Sequence, residues 1–256
     1  MTAIYDLCKQ PTTFDFASWA CYARTCGSTK VHFIVDGPIA QWKYGPDIAW
    51  KRWANMLIPL CRLARLDYTV GGRIEGKTFP YLAGHLNKLY QQIGRIEKLK
   101  PTMTHNKSGY VTITMRDSFR NKFRNSNVEA WEKFRKYLEA KNFDVEVFPD
   151  CENAPINLEY RMAVYTNALT NMGASNGPLA LCLFSEAPYL TLNQLPDPKG
   201  EKVMYDQRKL MEKQGFPEGS QYAFRNERQL LVYEPDDFEN IVRAFEALQE
   251  RMKVAA

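Results

Sequence analysis

Histidine is scarce in this sequence: His32, His85 and His105 are the three present, and no two share a metal-binding spacing. That argues against a His-ligated metal centre. Six cysteines occur (Cys8, Cys21, Cys26, Cys61, Cys151 and Cys182) with no CxxC pair, several of them inside apolar stretches. They read as reduced, structural thiols rather than as a disulfide framework or a zinc site. No apolar run approaches the ~20 residues needed to cross a bilayer. The opening residues also lack the basic, apolar and small-residue succession of a secretory signal, so the expected location is the cytoplasm. There is no tandem repeat, no low-complexity tract, and neither a DxD nor an ExxxxxxxE motif.

What is present suits an ordered globular protein. Apolar residues make up 45% and aromatics 13% of the 256 positions, which excludes global disorder. A chain of this length can bury well over half of its unfolded surface without disulfide staples. Lys and Arg number 34 against 29 Asp and Glu, for a net charge of +5. That balance suits an anionic ligand, yet it is too mild to mark a nucleic-acid-binding protein.

Short β-branched and aromatic runs alternate with longer segments of helical period, the pattern of β-α-β units around mostly parallel sheets. Strands are expected near 2–7, 31–35, 67–70, 110–115, 144–148, 188–192 and 229–233, with a further short strand leading to Ser175. Helices are expected over 14–25, 48–65, 82–95, 127–140, 157–170, 178–185, 204–213 and 237–252. Asn127 reads as the cap of the helix that follows it, and Asp236 as the cap of the last helix, with Glu239 three residues on. The polar stretch 96–109 (IEKLKPTMTHNKSG) reads as a hinge. The expected fold class is α/β, with two lobes, 1–105 and 106–256, facing each other across a cleft. Residues 193–203 and 214–226 read as long loops of the kind that carry binding function.

The densest stretch is 110–131, YVTITMRDSFRNKFRNSNVEAW. A strand ends near Met115, and the loop after it offers Arg116, Arg120, Lys122, Arg124, Asn125, Ser126 and Asn127 before a helix begins. Cations and amide donors at the carboxyl end of a parallel strand, beside a helix N-terminus, make a site for a diphosphate. A solvated basic loop is the commoner fate of such a run. The anion site is favoured because an open α/β sheet binds ligands at this position.

A second stretch is 157–178, NLEYRMAVYTNALTNMGASNGP. Its helix carries the candidate donor-binding residues Glu159 and Arg161, and Asn176-Gly177-Pro178 follows a short strand. Pro at a first helical position with Gly before it fits a tight turn that exposes backbone N–H groups. Such a turn could hold a ribose or phosphate, or simply be a tight connection. Asp15 stands at the start of the first helix, where a carboxylate could act as a general base or merely complement the helix dipole.

Gly71 to Thr78 (GGRIEGKT) fits the G-x-x-x-x-G-K-[ST] phosphate loop in form, with Asp150 as a matching Mg²⁺-binding acid. Pro80 falls in the first turns of the helix that loop requires, and Glu75 sets an acid in the phosphate cradle. A kinase or NTPase is therefore an alternative reading. The aromatic and basic run 42–53 (WKYGPDIAWKRW) could stack bases or sugars, which keeps a non-catalytic glycan- or nucleic-acid-binding protein open as another. The spacing of Trp50 and Trp53 makes packing the simpler account. The last helix, with Phe238, Ile241, Val242, Phe245 and Leu248 on one side, is expected to pack on a sheet.

Several of these segments together resemble a known group. VTITMRDS followed by RNSNVEAW, FDVEVFPD, LEYRMAVYTNALTNMGASNGPLALCLFS with PYLTL, the opening IYDLCKQPTTFDF with VHFIVDG, and QLLVYEPDDFENIVRAF resemble glycosyltransferase-like proteins of bacterial surface-polysaccharide genes, of GT-B type and heptosyltransferase- or fucosyltransferase-like. The resemblance implies two Rossmann-like lobes, with the nucleotide sugar on the C-terminal one. It places Arg116, Arg124, Asn125 and Asn127 near the donor diphosphate and Asn176, Gly177 and Pro178 near the nucleotide or sugar. Asp15 is similar in position to the catalytic base of heptosyltransferases. Sugar transfer without a metal or other cofactor is implied, from a nucleotide-sugar co-substrate to an acceptor that the sequence leaves open among glycan, lipid-linked glycan, protein and modified DNA, with a glycan or lipid-linked glycan favoured. Stable nucleic-acid binding is not expected, and peripheral membrane association is compatible with the reading. The chain is shorter than most GT-B enzymes.

Overall fold

The computed structural model describes residues 1–37, 46–118, 122–150, 157–196, 207–213 and 215–255. Arg120, Cys151, residues 42–45 of the aromatic-basic run and 197–206 lie outside them. The chain divides into two compact units, Met1–Thr104 with Ile156–Met162, and His105–Pro155 with Ala163–Ala256.

In the first unit four strands, β1 (Thr2–Asp6), β2 (Lys30–Ile34), β3 (Asp67–Gly71) and β4 (Lys77–Thr78), form a wholly parallel sheet in the order β3-β2-β1-β4. Alternate buried aromatics build its core. The Tyr5 ring meets Phe16 and Trp19 of α1 (Asp15–Thr25) edge-on at 4.8 and 5.0 Å, with Phe33 of β2 behind. The expected helix over 48–65 is a run of α2 (Pro46–Arg52), a π turn (Trp53–Leu57) and α3 (Ile58–Leu63). Trp53 packs edge-on against Phe33 and Tyr68, while Trp50 is 41% exposed.

The phosphate-loop alternative fails on geometry. Lys77 and Thr78 pair with Ala3 and Ile4 as strand β4, and the next helix, α4 (Ala83–Ile93), starts only at Ala83. The loop therefore runs into a strand instead of the helix N-terminus that a phosphate cradle needs. Gly76 has a different reason to be glycine: a Cβ there would sit 2.6 Å from the Ile4 side chain and 3.1 Å from the Thr2 carbonyl. Part of the expected hinge is bound to this unit, since the Glu97 N–H reaches Thr25 Oγ1 at 2.9 Å, the Lys100 N–H reaches the Leu63 carbonyl at 2.9 Å, and Leu99 is buried.

In the second unit β5 (Val111–Arg116), β6 (Val145–Asp150), β7 (Thr170–Ala174), β8 (Tyr189–Leu192) and β9 (Gln229–Leu231) form a second parallel sheet, ordered β6-β5-β7-β8-β9. Pro149 is tolerated in β6 because that strand is an edge. At the opposite edge the Gln221 side chain imitates a neighbouring strand, donating to the Leu231 carbonyl at 2.7 Å and accepting its N–H at 2.9 Å. Val111, Ile113, Met172, Leu190 and Leu192 pack against Trp131, Phe134 and Leu138 of α5 (Val128–Ala140) and Ile241, Phe245 and Leu248 of α9 (Phe238–Ala255). The last helix thus packs as its periodicity predicts.

The remaining helices are α6 (Leu158–Asn167), α7 (Ala180–Leu183) and α8 (Gln207–Lys213), and the boundary between the units falls inside α6. Two sequence expectations change here. The helix placed over 178–185 is only the short α7, with Pro178 in the turn before it rather than at its first position. Asp237, not Asp236, caps α9, accepting the Asn240 N–H at 2.9 Å. Among the described residues no helix is long and apolar enough to cross a membrane.

Candidate functional site

Open parallel sheets place ligands where the strand order reverses, at the carboxyl ends of the strands. In the second sheet the chain passes from β5 to β6 on one side and then returns to β7 on the other, so the reversal lies between β5 and β7. The loops leaving these two strands carry the two stretches that the sequence analysis singled out. They meet: Arg124 Nη2 donates to the Ser175 carbonyl at 3.4 Å, and Asn176 Nδ2 lies 3.5 Å from the Thr114 carbonyl.

The loop after β5 is built by its own polar side chains. The Arg116 N–H donates to Ser126 Oγ at 2.9 Å while the Ser126 N–H returns to the Arg116 carbonyl at 3.0 Å, closing the loop at its base. Asn125 staples the loop from inside, accepting the Ser118 N–H and donating to the Ser118 carbonyl, each at 3.0 Å. A 3₁₀ turn, Lys122–Arg124, presents Arg124 between these fixed points. Asn127 caps α5 as expected, with Oδ1 accepting the Ala130 N–H at 3.3 Å.

Arg116 stands at the end of β5 opposite Asp150 at the end of β6. Its Nη1 lies 3.4 Å from Asp150 Oδ2, both side chains largely buried at 15% and 12% exposure, and its Nε is buried with no hydrogen-bond partner among the described residues. A buried donor without an acceptor is costly. Asp150, considered above only as a metal acid for the phosphate loop, is the counter-ion of Arg116.

The turn after β7 is held by Asn176, whose Oδ1 accepts the Leu179 N–H at 3.1 Å and whose Nδ2 donates to the Ala174 carbonyl at 2.8 Å. Gly177 and Pro178 carry the first turn bonds of α7, through the Gly177 carbonyl to the Ala180 N–H and the Pro178 carbonyl to the Leu181 N–H. Gly173 escaped the sequence analysis. A Cβ there would stand 2.5 Å from the Thr114 carbonyl and 3.1 Å from Asn176 Nδ2, so only glycine lets β5 and β7 close at the reversal point.

Glu159 and Arg161 belong to the first unit, where Glu159 pairs with Arg62 at 3.0 Å and accepts the Thr102 hydroxyl at 2.9 Å, and Arg161 is 5% exposed. Asp15 is exposed at the start of α1 and accepts the Thr13 hydroxyl at 2.8 Å. In the first sheet the order reverses beside β1, and the loop that ends at Asp15 leaves β1. Burial first, and the Asp15 charge second, push the Tyr5 phenol well above its ordinary range. At the end of β1, Asp6 accepts the Cys8 N–H at 3.0 Å.

No protein-family model and no curated protein matches the chain. Among solved structures it is similar to the heptosyltransferase WaaC of E. coli with ADP, at 10% identity and a TM-score of 0.47 over 100% of both chains. It is similar to a glycosyl transferase family 9 protein of Veillonella parvula DSM 2008, at 9% identity and a TM-score of 0.49 over 96% of each. It is also similar to TibC of enterotoxigenic E. coli H10407, an iron-containing dodecameric glycosyltransferase, at 12% identity and a TM-score of 0.45 over 79% of this chain. The chain spans 60% of the length of TibC.

Proposed function

We propose that this chain is a glycosyltransferase that takes a sugar from a nucleotide-sugar donor, with the donor diphosphate bound at the carboxyl ends of β5 and β7. The observation that carries the reading is the meeting of Arg124 with the Ser175 turn at the strand-order reversal, since it brings a guanidinium fork and a loop of backbone amides to the point where such sheets hold ligands. The sequence resemblance supports the same assignment.

In the transfer, the acceptor hydroxyl oxygen attacks the anomeric carbon as the bond from that carbon to the diphosphate breaks, and the bonding pair leaves on the diphosphate oxygen. Asp15 is assigned the acceptor's proton, as the general base of an inverting reaction. Arg124, together with Arg116 at the end of β5, offsets the charge that grows on the departing diphosphate, which is the work a metal ion would otherwise do. The reading therefore includes activity without a divalent cation. Asn125 and Asn127 shape the loop, and Asn176, Gly177 and Pro178 shape the turn. The acceptor is assigned to glycans or lipid-linked glycans.

The test is release of nucleoside diphosphate from a panel of nucleotide sugars, with EDTA and with Mg²⁺. The reading expects slow release from at least one donor, equal under both conditions. Release from none, with no nucleotide raising the melting temperature, contradicts it.

A further inference from the structure

Asp236 was expected to cap the last helix, and its actual position demands another role. Its residue is 5% exposed, and among the described residues no Lys or Arg pairs with it. Oδ2 accepts the Asn127 N–H and the Trp131 Nε1–H, each at 2.8 Å, and Oδ1 accepts from Asn193 Nδ2 at 3.4 Å. Taking a carboxylate out of water without a cation is expensive, and neutral donors and the positive end of α5 offset that cost.

The groups it joins are the ends of two loops. Asn127 closes the loop after β5, next to the Ser126 pair that fixes Arg116. Asn193 is the first residue after β8, in a left-handed conformation at φ 53°. Between β5 and β8 runs β7, and the Ser175 N–H at its end donates to the Leu192 carbonyl at 3.0 Å. The carboxylate therefore ties the two loops that flank the Ser175–Pro178 turn. It also sits at the N-terminus of α5, the position at which the sequence pattern suggests a phosphate.

We propose that Asp236 is a positioning residue for the donor site, bridging Asn127 and Asn193 so that Arg124 and the Ser175 turn keep the separation a diphosphate needs. This rests on the donor reading above. It also assigns the orientation of the diphosphate to Arg124 and the turn after β7, because a fixed carboxylate already occupies the N-terminus of α5 and repels a second anion there.

The test compares the intact wild-type chain with Asp236→Ala, Asp236→Asn and Asn193→Gly. Asparagine can keep the bridge, since its oxygen accepts from Asn127 and Trp131 while its amide donates to Asn193 after that residue flips its own amide. Glycine at 193 removes the side chain and still permits the positive φ. The probe is whichever of ADP, GDP, UDP and CDP the wild type binds most tightly by calorimetry. Asp236→Ala should weaken it about tenfold and Asn193→Gly about threefold, with Asp236→Asn within about twofold of wild type. Amide exchange over 122–127 should quicken in Asp236→Ala and recover in Asp236→Asn.

Wild-type affinity in both Asp236→Ala and Asn193→Gly overturns the proposal, as does a lowered melting temperature with unchanged binding. Should Asp236→Ala fail to fold, the contrast between Asn193→Gly and Asp236→Asn decides. If the wild type binds none of the four diphosphates while exchange over 122–127 still responds to Asp236→Ala, the donor reading has failed and takes this role with it. If the wild type binds and the variants bind equally well, only the role of Asp236 has failed.

Discussion

Arg124 Nη2 donates to the carbonyl oxygen of Ser175 at 3.4 Å, across 51 residues of sequence. That bond joins the loop after β5 to the turn after β7 at the reversal of strand order. A guanidinium so placed can trade a long bond to a neutral carbonyl for shorter, charge-assisted bonds to phosphate oxygens.

Gly173→Ala should destabilise the second unit. The new methyl would stand 2.5 Å from the Thr114 carbonyl, which is backbone and cannot swing aside. Thermal or urea unfolding should show a loss of about 1–3 kcal/mol, the usual cost of overpacking. Unchanged stability would mean that β5 and β7 do not approach so closely.

Lys77→Ala should leave the response to Mg²⁺-ATP as it is in the wild type. Lys77 lies in a strand paired with β1, its Nζ 5.9 Å over the Phe79 ring. A thermal-shift titration with Mg²⁺-ATP that changed on this substitution would reopen the phosphate-loop reading.

The reason that alternative fails is physical. GGRIEGKT satisfies a spacing, but the spacing means a phosphate cradle only when a helix follows, and Pro80 with the β1 pairing directs the segment into a strand. The parallel α/β class, the helix cap at Asn127 and the apolar face of α9 were legible because each is a local pattern. Asp236 was not: its partners Asn127, Trp131 and Asn193 lie 109, 105 and 43 residues away, and from sequence it reads as one of two adjacent acids before a helix. Glu159 shows the same limit, since its partner Arg62 is 97 residues distant.

Asp15→Asn should spare binding of the nucleoside diphosphate and lower turnover by roughly 10²–10⁴-fold, the range a general base contributes. Calorimetry and a product-release assay separate the two. Normal turnover would remove Asp15 from the mechanism.

Alkaline pH should destabilise the fold. Burial pushes the Cys21 thiol from its ordinary 9.0 up to about 12, and burial likewise raises Tyr233 from 10.0 to about 12. Both groups are neutral in the folded chain where the unfolded chain ionises, so stability is complete below pH 9 and falls as pH rises towards 12. Melting temperatures measured from pH 8 to 11 should decline steadily above 9, and Cys21→Ala should flatten part of that decline. A flat profile would mean that these side chains are hydrated in the folded state.

The most direct measurement is calorimetric titration of a nucleoside diphosphate into the wild type and Arg124→Ala, in EDTA. A metal-free wild-type complex, weakened about tenfold to a hundredfold in the variant with its melting temperature preserved, is what a charge-assisted phosphate contact predicts. Equal affinity in the two proteins would contradict it and empty the β5–β7 site of its donor.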